Sequence, residues 1–193
     1  MRYAFDMVDI SGRLPLLTPG MMTPEQHELY GAIVGGPRAA GPQHFALTNP
    51  DGSLTGPFNA LLLVPPLGRA VQALGAAVRY ETSLTDRERE LAILVVAARW
   101  DSEFERMAHE AVGRAAGLDD DELSAVRNGG IPSLEDPRED ACTRLAHAMA
   151  RGDVDDALWA DVAPTVSHET VFELATLVGY YALLALQLRV FRI

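Results

Sequence analysis

The distribution of apolar and polar positions predicts a buried helix near the middle of the chain. Every residue in 91–98 is apolar, and Thr85 followed by Glu88 forms a capping-box pattern just before this run. In such a box the Thr hydroxyl accepts from a first-turn amide while the Glu bonds back to the cap residue, so the helix should begin near Asp86. A helix without a polar face must be covered on all sides. We therefore predict that it lies at the centre of the domain.

A second helix is predicted to follow almost at once. Trp100 and Asp101 interrupt the apolar run, and Ser102 with Glu105 gives another capping-box pattern before a helix that should end at Gly117. A connection of only a few residues favours antiparallel packing. The two helices are therefore expected to form a hairpin.

The rest of the chain also has helical patterning. A Pro-Pro pair at 65–66 should break an apolar helix at Val64, and no segment shows the alternation of a β-strand. We predict an all-α fold with an N-terminal arm over residues 1–22 and a single helical domain over 23–193. Further helix starts are predicted at Thr23 with Gln26, Asp119 with Glu122, Asp136 with Glu139, and Ser167.

Composition narrows the range of partners. The 193 residues are 48% hydrophobic, with a net charge of −11 and a pI of about 4.8. That charge has the wrong sign for holding phosphate backbones, so nucleic acid is not expected as a partner. Cys142 is the only cysteine, which excludes an internal disulfide and fits a cytoplasmic location. The apolar run 174–188 is shorter than the roughly 20 residues that span a bilayer, so we expect a buried helix and no membrane.

Two carboxylates and an imidazole are expected to converge inside the predicted hairpin. Glu105 and His109 share one face of the second helix, and Glu90 lies at a comparable distance from the turn on the first. Such groups beside apolar walls can exchange protons near neutral pH. The same residues could bind a divalent ion, but we expect metal-free chemistry. Structural roles also stay open: Glu105 could act only as a cap, and Glu90 could pair with an arginine, the candidates being Arg87, Arg89 and Arg106.

The sequence of this hairpin resembles a known family. The run RERELAILVVAARWDSEFERMAHEAVGRAAGL, with SLTGPFNALLLVPPLGRAVQALGAAVRYETSL before it and VFELATLVGYYALLAL after it, is similar to the carboxymuconolactone decarboxylase family, which includes the alkylhydroperoxidases. The peroxidase branch uses a Cys-x-x-Cys-x-x-x-His motif and a Glu on the preceding helix. Aligned on His109, its cysteines fall on Ser102 and Glu105, and its Glu falls on Glu90. Without thiols no disulfide can form, so the chain resembles the cysteine-free, decarboxylase-like branch.

The resemblance implies an alkylhydroperoxidase D-like fold and a cofactor-free enzyme, such as a carbon–carbon lyase. The substrate would be a small cyclic or unsaturated carboxylic acid or lactone. His109 would give and take a proton, Glu90 would orient or polarise it, and Glu105 would share the proton or act as base. Family members form trimers and hexamers, so a homo-oligomer is expected. The alternative is a non-catalytic, oligomeric binding or structural protein in which these three residues form a closed ion-pair network with no adjoining cavity.

Other residues are candidates for binding the substrate. Arg87, one turn before Glu90, could anchor a carboxylate through bidentate pairing or could be a surface charge. By resemblance, Phe58 and Asn59 could line the pocket, although a core role for Phe58 and a helix-start hydrogen bond for Asn59 are equally open. Ser102 occupies a position of the lost thiols. The Gly- and Pro-rich loop 35–57 could cover a pocket, and its His44 is expected to be solvated.

Overall fold

The computed structural model of the chain describes residues 13–36 and 46–193. This part of the chain is helical, with one isolated β-bridge between Thr48 and Leu54 and no β-strand. The all-α prediction is therefore confirmed, while His44 lies outside the described residues. The helices are α1 (Pro24–Val34), α2 (Phe58–Leu61), α3 (Pro65–Tyr80), α4 (Asp86–Trp100), α5 (Glu103–Ala115), α6 (Asp120–Arg127), α7 (Pro137–Met149), α8 (Asp156–Val162) and α9 (His168–Phe191), with a 3₁₀ turn at Pro19–Met21.

Helix α4 is the central element, as predicted. Its N-terminus carries the complete Thr85–Glu88 capping box, and residues 91–97 are all buried. The helix packs against α5, α6, α7 and α9. The continuous apolar run therefore forms the main hydrophobic core together with side chains from these neighbours.

The connection from α4 to α5 is as short as the sequence predicts. Asp101 ends α4 in the left-handed conformation, with φ 50° and ψ 47°, and the Ser102 amide donates to the Ala97 carbonyl at 2.9 Å. This reversal within two residues lays α5 back along α4. The hairpin thus brings the middle of each helix beside the other.

Most predicted helix starts are present, although the predicted capping box is incomplete at α7. The boxes at Thr23 with Gln26 and at Asp119 with Glu122 both form. At α7, Asp136 accepts from the amides of Arg138 and Glu139, but the Glu139 carboxylate does not return to the cap. The predicted box is incomplete there because this carboxylate binds an arginine on α4.

That arginine is Arg87, which ties three segments together. Its guanidinium donates to Glu139 at 2.8 Å, to Glu122 at 2.6 Å and to the Gly117 carbonyl at 2.5 Å. Its side chain is 26% exposed, and its carboxylate partners are 13% and 15% exposed. Arg87 therefore joins the start of α4 to α6, α7 and the end of α5.

The N-terminal segment 13–22 lies against two parts of the domain. Asn59 accepts from the Leu17 amide at 3.1 Å and donates to the Pro15 carbonyl at 2.9 Å. The Arg13 amide donates to the Phe191 carbonyl at the end of α9. Phe58 belongs to a second, smaller core cluster built around α1 and α2.

Helix α9 is the one described helix that is long and apolar enough to cross a membrane, judged by length and composition alone. A buried core helix meets the same criteria, and α9 packs against α3, α4 and α7. Its buried side chains include Leu174, Leu177 and Leu184. Part of its surface nevertheless remains apolar and exposed.

The Arg87 cluster predicts a stability effect. We expect Arg87→Gln to lower the free energy of unfolding by about 1–3 kcal/mol, because it leaves two partly buried carboxylates without their cation, although solvent screens them. Chemical denaturation followed by far-ultraviolet circular dichroism would measure it. Arg69→Gln is the matched control, since Arg69 is exposed and lies 3.7 Å from the exposed Glu28. Equal effects of the two changes would contradict this role.

Candidate active site

A buried histidine and carboxylate join the two helices of the hairpin. His109 Nδ1 lies 2.6 Å from Glu90 Oε2, and the side chains are 6% and 2% exposed. The contact links the middle of α5 to the first half of α4. The hydrogen bond holds the imidazole in one orientation.

Glu105 lies on the other side of the same ring. Its Oε2 is 3.4 Å from His109 Nε2, and its side chain is 5% exposed. The predicted capping box of Ser102 and Glu105 is wrong, since the Ser102 side chain makes no cap hydrogen bond. The carboxylate instead turns toward the imidazole four residues later.

Two buried polar atoms, one at the N-cap of α5 and one in its first turn, have no hydrogen-bond partner within the described ranges. They are Ser102 Oγ and Glu105 Oε1, and both are buried. A buried polar atom without a partner costs roughly 1–3 kcal/mol, so such atoms are rare unless they serve a function. Positions 102, 105 and 109 follow one face of α5. That face therefore presents one hydroxyl, one carboxylate and one imidazole together.

Arg79 completes the network, in place of the arginines proposed from the sequence. Its Nη1 lies 3.7 Å from Glu90 Oε1, and its side chain is 20% exposed. The three arginines named beforehand have other partners: Arg87 binds Glu122 and Glu139, Arg89 binds Asp86, and Arg106 pairs with Glu103 and Glu110. Arg79 was missed because it lies on α3, and no spacing rule connects that helix to α4.

Tyr181 on α9 forms another wall of the site. Its ring meets His109 edge to face, with centroids 5.2 Å apart and the planes at 90°. It also hydrogen-bonds Arg79. Burial alone would lower the pKa of the guanidinium, but the electrostatic interactions with Tyr181 and Glu90 outweigh burial and raise it. The aromatic ring thus restricts the imidazole while its hydroxyl holds the arginine that faces Glu90.

The surroundings of His109 favour its charged form. Burial alone would lower the pKa, but the charge of Glu90 and the hydrogen bonds that the ring donates to Glu105 and Glu90 outweigh it and raise the pKa from the ordinary 6.5 to about 9. At neutral pH the ring is therefore an imidazolium between two carboxylates. Such a group is a proton donor held away from bulk water.

The remaining sequence candidates lie outside this network. Arg87 is engaged in its own cluster, and Asn59 holds the N-terminal segment. Phe58 is 4% exposed and packs in the smaller core. The Gly-Pro-Phe stretch still touches the start of α5, because Gly56 has φ 54° and a Cβ there would lie 2.2 Å from the Phe104 ring. Only glycine allows this close approach.

Neither of two cavities lined by described residues touches the network. One lies between α3 and α9, and the other lies at the ends of α4, α6 and α7. Within the described ranges, no group of three His, Cys, Asp or Glu side chains has the geometry to hold a metal ion.

Cys142 cannot restore thiol chemistry at this site. It is fully buried on α7, and burial, followed by the neighbouring Glu88, raises its pKa to about 12. The thiol therefore stays protonated at neutral pH and is a poor nucleophile.

The comparison with known proteins agrees with this description. No curated protein matches the chain. The model of the Carboxymuconolactone decarboxylase family matches residues 65–148, a segment that contains Arg79, Glu90, Glu105 and His109. Helices α3, α4 and α5, which supply Arg79, Glu90, Glu105 and His109, therefore lie in a segment that is similar to the carboxymuconolactone decarboxylase family.

Proposed function

We propose that the protein is a cofactor-independent acid/base enzyme that acts on a small cyclic or unsaturated carboxylic acid or lactone. The main support is the buried imidazole between two carboxylates, next to the unpartnered Ser102 Oγ and Glu105 Oε1. A purely structural ion-pair network would satisfy these oxygens. A hydroxyl or carboxyl group of the substrate, or a water bound to its carbonyl, could hydrogen-bond these two oxygens instead.

The charges of the site suit an anionic substrate. Glu90 and Glu105 contribute two negative charges, and His109 with Arg79 contributes two positive charges when the imidazole is protonated. The four groups are therefore neutral together, despite the net charge of −11 of the whole chain. An incoming carboxylate would meet no uncompensated negative charge.

The proposed reaction is a decarboxylation with proton delivery to carbon. The bond between the substrate and its carboxylate breaks, CO₂ leaves, and the electron pair stays on the conjugated system as a dienolate. His109 then donates its Nε2 proton to carbon, because Nδ1 is held by Glu90 and the 3.4 Å contact with Glu105 is the weaker one. Solvent restores the proton to the ring. Isomerisation, dehydration or lactone opening would use the same groups.

The alternative of a non-catalytic binding or structural protein has one observation in its favour. Neither of the two cavities described above adjoins the network. Two unsatisfied oxygens inside the network argue against that reading, since a fold with no ligand gains nothing from them.

We also propose that the chain forms a homo-oligomer through α9. Four of its large apolar side chains are exposed and fall on one face at helical spacing: Phe172, Leu183, Leu186 and Val190. A contiguous exposed apolar surface of this kind usually marks an interaction site.

Replacing the histidine tests the proposed chemistry. Small unsaturated acids and lactones would be screened for binding by ligand-observed NMR, and each ligand would be assayed for CO₂ release or isomerisation. We expect His109→Gln to lower turnover by roughly 10²–10⁴-fold, the usual contribution of a general acid. His27→Gln, which changes an exposed histidine on α1, should have no effect. If no compound is converted and His109→Gln only destabilises the fold, the structural alternative holds.

The raised pKa of His109 predicts how stability depends on pH. Because the pKa is near 9 in the folded protein and 6.5 is the ordinary value, the folded state binds the proton more tightly. The stabilisation is complete below pH 6.5 and is lost as pH rises through about 9, with a slope of at most about 1.4 kcal/mol per pH unit. Urea unfolding at several pH values should show this decline in the wild type and a flatter profile in His109→Gln. Parallel profiles would contradict it.

The α9 surface predicts a change of mass. Multi-angle light scattering should give a multiple of the 20.9 kDa chain for the wild type and a smaller assembly for Leu186→Glu, because a charge cannot be buried in an apolar interface. Ile131→Glu is the control, since Ile131 is similarly exposed but lies in the loop before α7. A monomeric wild type would overturn the proposal.

A further inference from the structure

A second cavity carries chemistry that the proposed reaction does not use. It has a volume of about 210 Å³ and lies where α4, α6 and α7 end. This is the space of about seven water molecules at roughly 30 Å³ each. Its apolar lining is Val95, Ala98, Val126 and Ala150, and its polar lining is Arg99, Arg151, His147, Gly129 and Gly130.

The two arginines of this cavity have no carboxylate partner among the residues that the structure describes. Most arginines in that part of the chain form ion pairs, as expected of a protein with a net charge of −11. Arg99 and Arg151 do not, and neither donates to a described carbonyl. Each guanidinium has five N–H donors and both side chains are exposed, so the cavity lining carries two charges that no described carboxylate neutralises.

His147 fixes one of these arginines. Its Nε2 lies 3.0 Å from the Gly129 carbonyl, so that nitrogen donates and Nδ1 is left to accept. Arg151 contacts the same ring through Nη1. A loop carbonyl thus orients the imidazole, and the imidazole orients the guanidinium at the cavity.

The helix ends explain part of this arrangement but not all of it. Cations near a helix C-terminus are favoured by the helix dipole, and Arg99 and Arg151 lie at the ends of α4 and α7. That interaction does not require the two guanidinium groups to converge on one cavity. The apolar wall opposite them also has no role in stabilising a helix end.

We propose that this cavity binds a small organic carboxylate. Paired guanidinium groups recognise a carboxylate through bidentate hydrogen bonds, and the apolar wall would accept its carbon skeleton. Inorganic phosphate would neutralise the two charges, but water would remain in contact with the apolar wall.

The cavity is separate from the candidate active site. Val95 and Glu90 both belong to α4, but five residues place them about 140° apart around the helix. None of the residues that line the cavity belongs to the network around His109. Binding here would thus be an additional property and does not depend on the proposed catalysis.

Titration of the full chain with benzoate tests the proposal. Amide NMR spectra should show saturable shifts of Gly129 and Gly130, whereas neutral benzamide should give none. The Arg99→Gln/Arg151→Gln double variant should bind benzoate at least tenfold more weakly. Arg189→Gln is the matched control, since it removes an exposed arginine of α9 that has no ion pair within the described chain and does not line the cavity. His109→Gln should bind at this cavity as the wild type does.

Each other outcome has a clear meaning. If the double variant keeps its folded spectrum and binds benzoate as tightly as the wild type, the arginines do not form a site and the proposal fails. If phosphate shifts the same amides with equal affinity, the cavity is a simple anion site and the assignment to an organic carboxylate is wrong. If the shifts vanish in His109→Gln while the arginine variants bind normally, benzoate binds at the candidate active site instead.

Discussion

The arrangement of the whole site depends on one buried hydrogen-bonded ion pair, between Glu90 on α4 and His109 on α5. A single buried charge is costly, because it loses its hydration, whereas a closely bonded opposite charge recovers much of that loss. The pair therefore stands only if the two helices keep their register. The other groups of the site contact this pair. Glu105 and Tyr181 contact His109, and Arg79 contacts Glu90 and Tyr181.

The position of the pair follows from α4. Residues 91–97 of α4 are all apolar, and such a segment is buried only if neighbouring helices cover it. Helices α5, α6, α7 and α9 provide this cover. Most charged residues of this helix lie in its first two turns, where Glu88 and Glu90 are buried and Arg87 binds α6 and α7. Charged groups at the edge of a dry core are where pKa values shift, and the raised pKa of His109 is an instance.

Local signals were enough to predict the helices, and spacing along the hairpin predicted that Glu90, Glu105 and His109 converge. Capping patterns at Thr85 and Asp119 mark real helix starts, because they depend only on residues three apart. The same pattern failed at Ser102 and Glu139, since both carboxylate partners found a charged group elsewhere: His109 for Glu105, and Arg87 for Glu139. An ion pair in the tertiary structure competes with a cap, and no local rule decides between them.

Contacts between distant helices could not be read from the sequence. Arg79 and Tyr181 reach the site from α3 and α9, and only packing brings those helices to α4 and α5. Asn59 was a substrate candidate by resemblance and Arg87 by its position one turn before Glu90. In the structure Asn59 holds the N-terminal segment, and Arg87 ties α4 to α6 and α7. The same ambiguity applies to any charged residue in a first helical turn, which can face solvent, a cap or another helix.

We infer that His109 is a buried imidazolium at neutral pH and that it donates the proton on Nε2. Nitrogen-15 NMR of the histidine rings at pH 7 tests it most directly, with His109→Gln used to assign the signals. We expect both ring nitrogens of His109 to carry protons. The Nδ1 proton should be strongly deshielded by the short hydrogen bond to Glu90. A neutral ring, with one nitrogen unprotonated at pH 7, would contradict it.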